Sequence, residues 1–238
     1  MSSPSGVARL DPALVWRFLK QTLVWTLVLA TVLFVSAGTV DWPQAWAFLA
    51  LSGVLGVASG LIIARDNPSL LRERMRGPIQ KEQKPWDKVL LVAIIVVCTA
   101  LPIAAGIDAK RIGFSQMPVW LEALGALGVA FGLYMFHVVM ATNAYASTVV
   151  RIQGERGHKV ISTGPYAYVR HPMYSGVAFY FFGIAFLLGS WWAVGIAAVI
   201  VLIFAVRAVW EEETLKEELE GYSDYAERVR FRLVPWIW

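Results

Sequence analysis

Gly164-Pro165-Tyr166-Ala167-Tyr168-Val169-Arg170-His171-Pro172-Met173-Tyr174-Ser175-Gly176 is a polar and aromatic hinge between two long apolar regions, and its reading decides the fold. Gly164-Pro165 is turn chemistry, and Pro172 keeps His171 out of the helical region while itself suiting the first position of a helix. A helix is therefore expected from about Met173. Its first N–H groups lack intrahelical partners and carry the positive end of the helix dipole, so they suit a carboxylate or phosphate. His171 and Tyr174 would stand beside that anion as donors. Gly176 leaves room for a ligand or a neighbouring helix to approach the backbone.

Outward from the hinge the chain is apolar. Of its 238 residues 58% are hydrophobic and only 16% charged, the composition of a multi-pass membrane protein. A span needs about 20 apolar residues. Six segments approach that length, at roughly 16–38, 43–64, 88–107, 118–141, 174–188 and 191–210. The fifth is short, and only Gly189-Ser190 separates it from the sixth, so the two read as a tight hairpin and five full spans are the alternative. The expected fold is all-α, a polytopic helical membrane bundle forming one domain over 1–238, with N-terminal helices over 1–141 and the polar, motif-bearing part over 142–238.

Lys and Arg set the orientation. With the N-terminus inside, 19 of the 21 basic residues fall on the inner side and only Lys110 and Arg111 outside. Both termini and the hinge are then cytoplasmic, and the plasma membrane is the expected location. The net charge of +4 is accounted for by these short loops, so nucleic acid is not an expected partner; membrane lipids are. Cys98 stands alone inside an apolar run, which excludes an intramolecular disulfide and a cysteine metal site. Met1 to Asp11 lacks the pattern of a cleaved signal peptide. The connection from Asp66 to Asp87, with Pro68, Pro78 and Pro85 among mixed charges that include Lys81, reads as a solvated loop without chemistry. Trp42, Trp46, Trp86, Trp120, Trp191, Trp192 and Trp210 sit near span ends as interfacial anchors. Gly53, Gly56 and Gly60, like Gly125, Gly128 and Gly132, have the spacing of small helix-packing residues.

Candidate chemistry gathers in the second half. Thr142 to Lys159 is a polar run that includes Gln153 and His158 and leads into the hinge. Arg207 and Glu211 lie one turn apart. Alone they read as a membrane-edge ion pair; beside the hinge, the guanidinium suits a substrate carboxylate and Glu211 suits ribose hydroxyls or a cation. The tail from Thr214 is amphipathic, then basic and aromatic, and would lie on the inner leaflet or cover a pocket from below. His137 reads as a hydrogen-bonded intramembrane histidine, and His158 with His171 lacks the further ligands of a metal site.

Three stretches carry a family resemblance: His158-Lys-Val-Ile-Ser-Thr-Gly-Pro-Tyr166, Arg170-His-Pro-Met-Tyr174-Ser-Gly176, and Arg207-x-x-x-Glu211-Glu212-x-x-Leu215, followed by Tyr222-x-x-Tyr225 and Pro235. The chain here resembles the isoprenylcysteine carboxyl methyltransferase family, within the wider group of phospholipid methyltransferases. The resemblance covers about the last 100 residues. It implies an all-helical membrane enzyme that transfers methyl from S-adenosylmethionine without a Rossmann domain and releases S-adenosylhomocysteine. It also implies that 142–238 is the cofactor-binding and catalytic core.

Position by position, the resemblance implies that Gln153, His158, Val160, Ile161, Tyr166, His171, Pro172, Met173, Tyr174 and Glu211 bind the cofactor. Arg207 would face the methyl acceptor, and Arg207 and Glu211 would form the catalytic pair. The loop from Gln153 to His158 is shorter than in eukaryotic members, and Leu219 replaces the family's glycine, with Gly221 beside Tyr222. The expected reaction is carboxyl O-methylation of a lipophilic small-molecule or lipid-modified acceptor of the isoprenylcysteine kind, reached sideways from the bilayer. Phospholipid or small-lipid N-methylation, with Glu211 or Glu212 as base, is the alternative. A nicotinamide-dependent sterol-reductase-like enzyme and a non-enzymatic membrane scaffold complete the possibilities.

Overall fold

The computed structural model describes residues 10–77, 79–80 and 83–238. Arg9, Pro78 and Lys81, and most of the stretch read for a signal peptide, lie outside the described residues. Among the described residues there are helices and no strand: α1 (Pro12–Ala37), α2 (Pro43–Asp66), α3 (Pro68–Arg74), α4 (Pro85–Gly106), α5 (Val119–Thr142), α6 (Pro172–Leu187), α7 (Trp191–Glu218) and α8 (Tyr222–Arg228). Five of these, α1, α2, α4, α5 and α7, have the length and hydropathy to cross a bilayer, and α6 is a shorter apolar helix of 16 residues. They turn large apolar side chains such as Trp25, Val54, Val92, Leu127 and Leu202 outward, a surface that suits hydrocarbon rather than water.

Local chemistry sets the helix ends. Asp11 accepts from the N–H groups of Ala13 and Leu14 ahead of Pro12, and Gly38 closes α1 at φ +73°. The α6–α7 hairpin turns at Gly189, φ +76°, and Ser190 caps α7 by accepting from Ala193 N–H. A π-helical turn at Ile107–Ile112 extends α4 and carries the fully buried Asp108. That carboxylate accepts from the hydroxyls of Ser115 and Ser190 and from Trp192 N–H, which ties α4 to the hairpin.

Helices α5 and α6 make the closest packing. A Cβ on Gly125 would lie 2.3 Å from the Leu187 backbone nitrogen, and one on Gly183 would lie 2.5 Å from that of Val129. Backbone-to-backbone approach of this kind is how helices associate where no water drives them together. Gly183→Ala is therefore expected to lower the thermal unfolding midpoint in detergent by roughly 2–10 °C, the effect of about 1–3 kcal/mol of overpacking. Gly195→Ala, where an added Cβ meets nothing within 4 Å, should leave it unchanged or slightly higher. Equal midpoints for the two variants would remove this packing argument.

Four expectations change. Gly53 and Gly56 pack against nothing within 4 Å, whereas Gly60 does receive the Phe18 ring. Trp42 is not an interfacial anchor but a core side chain, 1% exposed beside Leu33 and Phe48. The connection from Asp66 to Asp87 holds α3 and buries Glu73, Gln83 and Asp87, because Glu73 and Asp87 find polar partners on the C-terminal half and Gln83 donates to Asp87. The tail after α8 folds back on the hinge: Arg170 N–H donates to Phe231 C=O, His171 N–H to Arg232 C=O and Ser175 Oγ to Leu233 C=O. Backbone pairing of this type excludes a tail that merely lies on the leaflet, although Trp236 and Ile237 at its end are exposed.

Candidate active site

The hinge, the 143–161 loop, the C-terminal half of α7 and α8 enclose one cleft of about 840 Å³ including its open mouth. Its wall contains His158, Val160, Ile161, Tyr166, His171, Pro172, Met173, Tyr174 and Glu211, together with Asn143, Tyr145, Tyr222 and Tyr225. Nine of the ten residues that the resemblance assigns to the cofactor thus share one cavity. Gln153 does not line it. That side chain is 1% exposed and donates to Tyr145 C=O, while its carbonyl oxygen accepts from Arg156, so it braces the loop from behind.

The hinge residues are held differently from the sequence expectation. Helix α6 starts at Pro172, and the N–H groups of Tyr174 and Ser175 both donate to His171 C=O. Two of the donors expected to receive an anion are therefore engaged within the turn. His171 lines the cleft, but its Nε2 sits 3.2 Å from Glu212 Oε1. Glu212 is the hub of the floor: it is 2% exposed and accepts two bonds from Arg170, at 2.7 and 3.1 Å, and one from Arg232 at 3.1 Å. Arg170 also donates to Val229 C=O and Arg230 C=O, so the same guanidinium fixes the tail. The rings of His171 and Tyr174 stack at 5.4 Å, and Tyr174 Oη donates to Glu211 at 2.5 Å.

Arg207 does not line the cleft and does not pair with Glu211. It donates to Asp87 Oδ1 at 2.8 Å and to Thr148 C=O at 2.9 Å, and its guanidinium lies 5.8 Å from the Tyr174 ring centre. Asp87 has no exposed surface and also accepts from Gln83 Nε2 and Val150 N–H. A second buried pair, Arg151 with Glu73 at 3.2 Å, joins the same loop to α3. Sequence reasoning missed Asp87, Glu73 and Gln83 because a charge among prolines has the signature of a solvated loop; the one signal was Asp87 in the first turn of a proline-started helix.

Cleft chemistry follows from burial. The phenol of Tyr166 is pushed up to about 12 by burial, against a hydrogen bond from Asn143 Nδ2 at 2.8 Å. Burial also raises Tyr222 and Tyr225, so all three phenols are neutral donors. His158 is lowered by burial and then by the nearby Arg156 and Arg151 cations. Its Nδ1 accepts from Gln153 N–H, so the neutral ring carries its proton on Nε2. The Tyr222 hydroxyl is buried in the cleft wall without a hydrogen-bond partner among the described residues, which is costly unless a ligand supplies one.

Residues 120–220 match the family model described as phospholipid methyltransferase, a stretch that runs from α5 to the end of α7 and leaves out α1–α4. Over 113 residues the chain is 30% identical to protein-S-isoprenylcysteine O-methyltransferase B of Arabidopsis thaliana, covering 46% of this chain and 57% of that protein. Over 109 residues it is 28% identical to protein-S-isoprenylcysteine O-methyltransferase of Saccharomyces cerevisiae, covering 44% and 41%. The chain spans about half the length of these curated relatives. By its matched segment and by both relatives, the chain is similar in its C-terminal half to phospholipid methyltransferases and to protein-S-isoprenylcysteine O-methyltransferases.

Proposed function

We propose that the chain is a carboxyl O-methyltransferase that uses S-adenosylmethionine and acts at the cytoplasmic membrane face on a lipophilic, isoprenylcysteine-like acid. The observation that carries this reading is the Tyr222 hydroxyl, buried and without a hydrogen-bond partner among the described residues, in a cleft that also presents Glu211 and His158. A lining that combines apolar Val160, Ile161 and Leu219 with polar Glu211, His158 and Tyr166 suits a cofactor that combines a flat base, hydroxyls and a zwitterion. When bound, S-adenosylmethionine supplies a methyl group on a sulfonium, open to direct displacement by a carboxylate oxygen. Because such an acceptor is already anionic, positioning and exclusion of water are the work left to the protein.

Each group then has a role. Glu211, oriented by Tyr174, accepts from cofactor hydroxyls, Tyr222 donates, and His158 donates from Nε2. His171 and Glu212 hold the floor, and Arg207 acts on the acceptor side by holding Thr148 and, through Asp87, Val150. The distribution of Lys and Arg supports cytoplasmic termini, and the plasma membrane is the location proposed with them.

The test is isothermal titration of the full chain in detergent with S-adenosylhomocysteine and, separately, NADPH. Saturable binding of the first alone is expected, abolished in His171→Ala. Tyr222→Phe should weaken it about three- to tenfold with no loss of thermal stability, since that hydroxyl forfeits no bond within the protein. A folded sample that binds NADPH and not S-adenosylhomocysteine would overturn the methyltransferase reading.

A further inference from the structure

The α1–α4 half, outside the segment matched to the family, contributes a second cavity. It lies among α1, α2 and α5, measures about 1250 Å³ including its open side, and is walled by Trp25, Leu29, Leu55, Gly56, Leu133 and Phe136. Arg74, the last residue of α3, stands at its end. The same guanidinium reaches Ala146 C=O and Ser147 C=O at 3.4 Å and Met173 Sδ at 3.7 Å, all residues of the cleft wall. Arg74 is thus the partition between an apolar chamber and the cofactor cleft.

Its electrostatics set it apart. Arg151, Arg170 and Arg207 each meet a carboxylate within 3.2 Å. Among the described residues no carboxylate is paired with Arg74, whose bonds are the long ones just named. Burial, and then the like charge of Arg207, lower its pKa, the mark of a cation without its counter-ion. A guanidinium cannot shed its proton to escape that cost, so an incoming anion is the remaining remedy.

We propose that the chamber holds the apolar chain of the acceptor and that Arg74 binds its carboxylate at the edge of the cofactor cleft. This rests on the methyltransferase reading and gives the acceptor's charge to Arg74, since Arg207 is occupied by Asp87. The occupant it fits is a long apolar chain ending in a single carboxylate, because Arg74 is the one charged side chain in the lining, has no carboxylate partner among the described residues, and stands at the end of walls that are apolar apart from the uncharged Gln21, Thr22, Thr26 and Ser59.

The experiment uses the full chain in nanodiscs with N-acetyl-S-farnesylcysteine as acceptor. Arg74→Ala is expected to raise the acceptor KM about ten- to hundredfold, the loss of one charged hydrogen-bonded contact, while S-adenosylhomocysteine affinity stays within about twofold of wild type. Arg74→Lys should recover part of the loss. Gly56→Leu, which adds bulk where nothing lies within 4 Å, should raise the same KM without touching cofactor affinity, and it carries the test if the alanine variant does not fold. An unchanged KM in Arg74→Ala and Gly56→Leu, with an active wild type, overturns the inference and leaves the methyltransferase reading standing. A wild type that binds no S-adenosylhomocysteine removes that reading instead. Direct binding of the farnesylcysteine acid against its methyl ester then decides for Arg74: a preference for the acid, lost in Arg74→Ala, supports it. No preference, or equal displacement by phosphatidylglycerol, overturns it.

Discussion

Glu212→Ala is expected to abolish the proposed S-adenosylhomocysteine binding and lower stability by about 3–5 kcal/mol, the cost of breaking a buried ion network on one side only. Glu212 is 2% exposed and is the shared partner of Arg170, His171 and Arg232. Its removal leaves the Arg170 guanidinium, itself 7% exposed, without a carboxylate and frees the tail whose carbonyls that guanidinium also holds. Tyr222 and Tyr225, which reach the cleft from α8, depend on the same closure. Arg232→Ala is the control. Arg232 is 29% exposed and its loss still leaves Glu212 two partners, so a small change is expected. Thermal unfolding and titration of both variants decide the matter. Near-wild-type cofactor affinity in Glu212→Ala would show that the hub is dispensable.

The second large effect lies 120 residues away in sequence from the helix it serves. Asp87→Ala should cost about 3–5 kcal/mol and reduce the proposed methyl transfer at least tenfold, because Arg207, 6% exposed, then keeps Thr148 C=O but no carboxylate among the described residues. Val150 N–H loses its acceptor at the same time, and with it the cleft wall loses its anchor on α4. Asp87→Ala combined with Arg207→Met should regain much of the stability, since neither charge is then buried alone, yet not the activity. Strictly additive losses in the double variant would mean that the two side chains do not act as a pair.

Six apolar stretches gave helices close to their expected bounds because hydropathy and span length are properties of contiguous residues. The turn at Gly164-Pro165, the helix start at Pro172 and the hairpin at Gly189-Ser190 were equally legible, since proline and glycine restrict the backbone wherever they stand. The cleft residues of the hinge and of Val160–Ile161 were named by motif. Their bonding was not. That His171 is bonded to Glu212, that Arg207 turns from Glu211 to Asp87, and that Gln153 lies behind the wall all depend on which side chain arrives from a distant element.

The sequence by itself determined a helical membrane bundle, its breaks, and the polar hinge, all encoded in residues near one another along the chain. Only the tertiary structure decided which charges are paired. Burial removes water from Arg151, Arg170 and Arg207, so each needs a counter-charge brought by the packed helices, and Asp87 and Glu73 come from a segment whose composition reads as solvent-exposed. The same packing left Arg74 between two cavities without a carboxylate partner among the described residues, a juxtaposition absent from any stretch of contiguous residues.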